Sequence, residues 1–134
     1  MAGFSFSRLV TFSECDPAGV AHFSRMACWV EEAEHIWLKQ SGFPVQLEEP
    51  DALFWPRVQF AADYLGPIRY GETVTIDLEG EPGSSSITWS WSIRQEETPV
   101  AKGTMKTVCC TKGEGDLIPQ QIPTSLQEAL RNKS

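Results

Sequence analysis

At 134 residues and 14.9 kDa, with 41% hydrophobic and 22% charged residues, the chain has the make-up of one globular domain, residues 1–134. That length buries about two-thirds of the unfolded surface without a disulfide or metal staple. The net charge of −7 argues against nucleic acid as a partner, because that needs a basic face. No apolar run approaches the roughly 20 residues of a membrane span, and Met1 to Arg8 lacks a signal-peptide pattern, so a cytoplasmic location is expected.

Phe4 to Phe12 reads as a first strand, with Phe4, Phe6, Val10 and Phe12 at even positions. Ser13 to Val20 is loop. From about Phe23 to Gln40 the spacing becomes helical, with Met26, Trp29, Val30, Ala33, Ile36 and Trp37 on one broad face; Ser41-Gly42 and Pro44 end it. Glu31, Glu32 and Glu34 make a charged stretch along this helix. Phe54 to Tyr64 is the next strand candidate. Val74, Ile76 and Leu78 then alternate with polar neighbours, as do Ile87, Trp89, Trp91 and Ile93, which predicts two strands with one wet face each. Val100 to Thr111 is a further strand, and Pro123 precedes a short terminal helix. Strand, helix and four strands describe an α+β domain in which an antiparallel sheet of about five strands curls around one long apolar helix.

Charge is divided along the chain: residues 1–81 carry 13 acids and 5 bases, residues 82–134 carry 5 acids and 6 bases. An anionic ligand is expected to favour the C-terminal part. Cys15, Cys28, Cys109 and Cys110 show no paired metal-ligand spacing and read as buried free thiols of a reducing compartment, Cys109 and Cys110 pointing to opposite faces of a strand. Metal binding by Cys15, His22 and Cys28 matches no zinc pattern.

The segment Phe12-Ser-Glu-Cys-Asp-Pro-Ala-Gly-Val-Ala-His-Phe23 places a carboxylate, Asp16, on a Pro/Gly turn just before the long helix. A helix start offers unsatisfied N–H groups and partial positive charge that can polarise a carbonyl or hold an oxyanion. A carboxylate facing the same carbonyl can attack it or deprotonate a water. The plain alternative is a turn in which Asp16 bonds nearby backbone. His22 can likewise orient a substrate or cap the helix.

Phe12 to Gly42 closely resembles the 4-hydroxybenzoyl-CoA thioesterase family of hot-dog proteins, which includes the YbgC-like acyl-CoA thioesterases and the dihydroxynaphthoyl-CoA thioesterases. The carrying element is Asp16-Pro17-Ala18-Gly19, then an aromatic residue and a helix bearing Trp and Glu. Arg57 to Leu78 and Ser85 to Thr111 extend the resemblance over nearly the whole chain. It implies a hot-dog fold, a homodimer or homotetramer with active sites at the subunit interface, and hydrolysis of an acyl-CoA substrate without a cofactor. Asp16 matches the family's catalytic carboxylate. Phe23 falls where a backbone N–H polarises the thioester carbonyl, and Gly19, Val20 and His22 adjoin the substrate.

Some aromatic-acyl relatives have clustered basic residues where this chain has Gly80 to Ser86, so Arg94, Lys102, Lys106 and Lys112 are the substitutes for contacts to CoA phosphate. Trp55 falls where relatives line the neighbouring subunit's acyl pocket, and equally suits the core. Two other functions use the same features: hydration of an enoyl-CoA by Asp16 and His22, and acyl-CoA binding without turnover. The Pro-Ala-Gly spacing fits the thioesterase pattern better than the hydratase one.

Overall fold

The structure is a computed structural model and describes residues 3–132. Its elements in chain order are β1 (Phe4–Leu9), α1 (Arg25–Gln40), β2 (Arg57–Tyr64), β3 (Thr73–Pro82), β4 (Ser86–Gln95), β5 (Thr98–Val108), β6 (Cys110–Lys112), β7 (Leu117–Pro119) and α2 (Thr124–Arg131), with a 3₁₀ turn at Phe12–Glu14. Five strands form one sheet in the order β1-β3-β4-β5-β2, every pair antiparallel; β6 and β7 form a separate ribbon. Because β1 and β2 lie at opposite edges, the connection carrying α1 must cross the sheet. Crossing that face brings α1 over the core.

The strand alternation maps directly onto burial. Val74, Ile76 and Leu78 of β3 and Ile87, Trp89, Trp91 and Ile93 of β4 are buried, as are Met26, Trp29, Val30, Ala33 and Leu38 of α1. Trp37 meets Trp89 edge-on, with ring centroids 5.8 Å apart. Leu126 and Leu130 of α2 complete the core. Gly80 on β3 leaves the room: a Cβ there would stand 2.7 Å from Leu130 Cδ2.

Several expectations are corrected. The expected long helix is a 16-residue one, about 24 Å long, because His22 to Ser24 are taken up by its cap. It ends through Gly42 at φ +90, where Phe43 N–H donates to Leu38 O (2.8 Å) and Gly42 N–H to Lys39 O (3.1 Å). The first strand stops at Leu9 and Phe12 is exposed on the 3₁₀ turn. The strand expected over Val100 to Thr111 is broken at Cys109; Cys109 and Cys110 are both buried free thiols, as expected. Cys28 is exposed and Cys15 half-buried.

Glu34, one of the charged stretch Glu31, Glu32 and Glu34, is fully buried. Its Oε1 takes the Arg57 guanidinium, which also reaches Glu31 Oε2 at 3.2 Å, while Glu34 Oε2 has no hydrogen-bond partner among the described residues. Burial pushes the Glu34 carboxyl up to about 7 against the pull of Arg57. The pair ties α1 to the first residue of β2.

Candidate active site

The Asp16 loop is a tight hairpin built by the sequence Asp-Pro-Ala-Gly. Gly19, at φ +80, donates its N–H to Asp16 O (2.9 Å), closing a four-residue turn, and Asp16 N–H donates to Val20 O (2.9 Å). Below the tip, His22 N–H donates to Glu14 O at 2.9 Å. The segment before β3 braces the loop from the side: Ala21 N–H donates to Ile68 O (2.7 Å) and Tyr70 N–H to Gly19 O (3.0 Å). Gly19 and Val20 are thus held by their backbones.

Asp16 Oδ1 accepts from Ala18 N–H (2.9 Å) and Val20 N–H (3.3 Å). The side chain is exposed, and Oδ2 has no partner among the described residues. The turn reading and the catalytic reading therefore use different oxygens. One holds the loop; the other is open for chemistry. The neighbouring Cys15 thiol is raised by burial and by the charges of Asp16 and Glu14, so it is no thiolate nucleophile at neutral pH.

Six residues on, His22 Nδ1 accepts from Ser24 N–H (3.3 Å) and lies 2.7 Å from Ser24 Oγ. Its imidazole caps the start of α1. Arg25 N–H donates to His22 O (2.9 Å), whereas Phe23 N–H has no hydrogen-bond partner among the described residues. The Phe23 ring is 63% exposed, stacked obliquely on His22 at 4.6 Å and edge-on to Tyr64 at 6.3 Å. An open carboxylate oxygen and an open backbone donor thus flank the entrance to α1. A second exposed aromatic pair, Phe12 and Tyr70 with centroids 5.5 Å apart, lies beside the same loop.

Glu14 anchors the hairpin. Its Oε1 accepts from Arg8 Nη1 (2.8 Å) and Thr11 N–H (3.0 Å), and its Oε2 from Trp29 Nε1 (2.8 Å). The Arg8 guanidinium also lies over the Trp29 ring at 5.0 Å. Burial alone would raise the Glu14 carboxyl, but the Arg8, Thr11 and Trp29 donors outweigh it and hold it at about 2. Its stabilisation is therefore present above its ordinary value of 4.5 and is lost as pH falls toward 2. Glu14→Gln is expected to cost about 2 kcal/mol at pH 7. Denaturant titrations of both proteins should show that gap closing between about pH 4.5 and pH 2.

The remaining expected site residues are dispersed. Trp55 is 6% exposed and part of its own chain's core. Arg94 is engaged by Asp77, Nε to Oδ2 at 2.7 Å, and by Glu96 O at 2.8 Å; Asp77 is raised by burial but lowered further by Arg94 and Ser5. Lys102 and Lys106 are exposed on the sheet face that bears Ser92 and Thr88, and Lys112 is exposed on the β6–β7 ribbon. Among the described residues no three His, Cys, Asp or Glu side chains are grouped to hold a metal ion. Among the described residues no helix is long and apolar enough to cross a membrane.

The sequence pattern of the thioesterase superfamily matches residues 18–102. The chain belongs to the thioesterase superfamily. The match begins two residues after Asp16 and includes Phe23. A 1,4-dihydroxy-2-naphthoyl-CoA hydrolase from Synechococcus sp. (strain CC9605) is 32% identical over 109 residues, covering 76% of this chain and 73% of that protein. Among solved structures, a 1,4-dihydroxy-2-naphthoyl-CoA thioesterase from Synechocystis superposes with a TM-score of 0.85 at 22% identity, covering 96% of each chain. A gentisyl-coenzyme A thioesterase does so at 0.82 and 22%, covering 92% of this chain and 98% of that one. The thioesterase thus has the hot-dog fold, and its chemistry is thioester hydrolysis.

Two residues of this thioesterase escaped the sequence reading although they build the site. Glu14 carried a local signal, the Thr11-x-x-Glu14 spacing of a capping box. Tyr64 carried none, since its contact with Phe23 spans 41 residues.

Proposed function

We propose that this chain is an acyl-CoA thioesterase for small to medium acyl groups, aromatic ones included, within the 4-hydroxybenzoyl-CoA thioesterase branch of the superfamily. The observation that carries it is the open Asp16 Oδ2 on a hairpin fixed through Oδ1, ahead of a helix start whose Phe23 N–H has no partner among the described residues. A thioester carbonyl oxygen accepting from Phe23 N–H is polarised there. Asp16 then either takes a proton from water, whose oxygen attacks the carbonyl carbon, or attacks that carbon itself to give a mixed anhydride that water cleaves. In both routes negative charge gathers on the carbonyl oxygen, the C–S bond breaks, and CoA leaves as thiolate with the acid as co-product. The aromatic ring of Phe23 and the Phe12–Tyr70 pair supply apolar walls for an acyl group. Gly19, Val20 and His22 adjoin it through backbone and cap. Lys102, Lys106 and Lys112 are the cations open to CoA phosphate, with Arg94 already paired.

The unit that acts is proposed to be an oligomer with the site at a subunit interface. Asp16, His22 and Phe23 lie exposed on one chain, and the unpaired edge of β2 carries exposed Val58, Phe60 and Tyr64. An edge strand with apolar side chains is a natural seam for a second copy. Thiol release from a panel of aliphatic and aromatic acyl-CoA esters, with the mass in solution measured alongside, tests both statements. Turnover of at least one ester by a dimer or tetramer is expected. No thiol release across the panel overturns the assignment, and full activity in a monomer overturns the interface.

A further inference from the structure

The Tyr64 hydroxyl donates a hydrogen bond to the Phe23 carbonyl oxygen at 3.1 Å, and the two rings meet edge-on at an interplanar angle of 86°. Tyr64 is the last residue of β2, which pairs with β5 on one side and is open on the other. Phe23 is thereby gripped at two points, backbone and ring, by a single residue on another element. From this geometry we infer that Tyr64 is a positioning residue for the reaction. It fixes the backbone of residue 23 so that its free N–H keeps a constant direction toward the carbonyl oxygen of the thioester. The inference rests on the proposed role of Phe23 N–H.

The physical need is specific. Phe23 stands outside α1, ahead of the cap residue Ser24; local bonds from Arg25 N–H to His22 O and from Ser24 N–H to His22 Nδ1 hold its two peptide planes to their own turn, and the Tyr64 hydroxyl ties that turn to the sheet. A donor to a developing oxyanion contributes only if its direction is set before the charge appears, because reorientation during the reaction forfeits the gain. Pinning the Phe23 carbonyl restricts rotation about the residue's own backbone bonds, and the Tyr64 ring blocks the swing of its side chain. The grip also joins the active-site donor to the sheet edge, so displacement of β2 is transmitted to the donor.

Tyr64→Phe removes the hydroxyl and keeps the ring. With the most rapidly cleaved of acetyl-, octanoyl- and benzoyl-CoA, kcat and kcat/KM are expected to fall together by about tenfold, with KM nearly constant, because the interaction lost belongs to the transition state. The melting temperature should stay within about 2 °C of wild type, since the bond is exposed. An unchanged kcat, or a loss matched by a comparable loss of stability, overturns the inference.

A second measurement separates it from the parent reading. In ¹⁵N-labelled Asp16→Asn, benzoyl-CoA should move the Phe23 amide proton downfield on binding, and the added Tyr64→Phe change should attenuate that movement. Equal movement in both proteins overturns the positioning role. Rapid hydrolysis by Asp16→Asn overturns the reading of the site instead.

Discussion

Replacing Asp16 by Asn should reduce thiol release from acyl-CoA by about 10²- to 10⁴-fold while leaving fold and oligomeric state unchanged. The amide has the shape of the carboxylate and presents a carbonyl oxygen where Oδ1 now accepts from Ala18 and Val20 N–H. The hairpin therefore survives, at a cost of less than about 1 kcal/mol, as befits an exposed neutral acceptor in place of a charged one. What disappears is the open oxygen. An amide NH₂ neither takes a proton from water nor attacks a thioester, whichever of the two routes operates. The loss should fall on kcat, and a melting curve coincident with wild type would locate it in the chemistry. Wild-type rates in Asp16→Asn at full purity would remove the carboxylate from the mechanism. Asp16→Ala is the harsher comparison: it also deletes the Oδ1 bonds, so part of its deficit is loop disorder.

The structure divides cleanly into what local pattern encodes and what only packing encodes. The alternation in Val74 to Leu78 and Ile87 to Ile93 placed two strands and their buried faces, because a period of two has one meaning on a sheet. Gly42 and Pro44 marked the end of α1 for the same reason: a left-handed Gly has few uses just after an apolar helix. Glu34 could not be read this way. Its neighbours Glu31 and Glu32 are exposed, and its burial is compensated by Arg57, 23 residues on, with His35 Nε2 3.6 Å from the same oxygen. The break between β5 and β6 at Cys109 was missed because no Gly or Pro in Thr107 to Thr111 marks it. The Asp-Pro-Ala-Gly turn was legible as geometry: Asp16 Oδ1 bonds the loop backbone, and Oδ2 has no partner among the described residues. Trp55 was open between core and pocket, and its ring lies in the core of its own chain. The cations were legible as a count and not as a cluster, since Asp77 engages Arg94 while Lys112 sits on a separate ribbon.

Gly103→Ala should be among the most damaging single methyl additions in the chain. Gly103 lies on β5 opposite Ala62 of β2 and Trp91 of β4. A Cβ built on it would collide with Ala61 O and stand 2.7 Å from Trp91 Cζ2. The oxygen belongs to the backbone and has no rotamer by which to escape, so β2 must shift outward or lose its pairing. Phe60, stacked on Trp91 at 5.4 Å and 12°, moves with it. Overpacking of this kind costs about 3 kcal/mol, or roughly 10 °C in melting temperature for a domain of this size. Gly66→Ala is the matched control: the nearest atom to its Cβ is Val100 Cγ1 at 3.9 Å, so it should lie within about 1 kcal/mol of wild type or be slightly stabilising. Because β2 carries both the proposed seam and Tyr64, the proposed interface and the proposed positioning role together predict that Gly103→Ala weakens self-association and catalysis before it unfolds the domain. Sedimentation and thiol release below the transition temperature would register that order. A variant that melts about 10 °C lower yet associates and turns over as wild type would show that β2 absorbs the methyl group without displacing the edge or Tyr64.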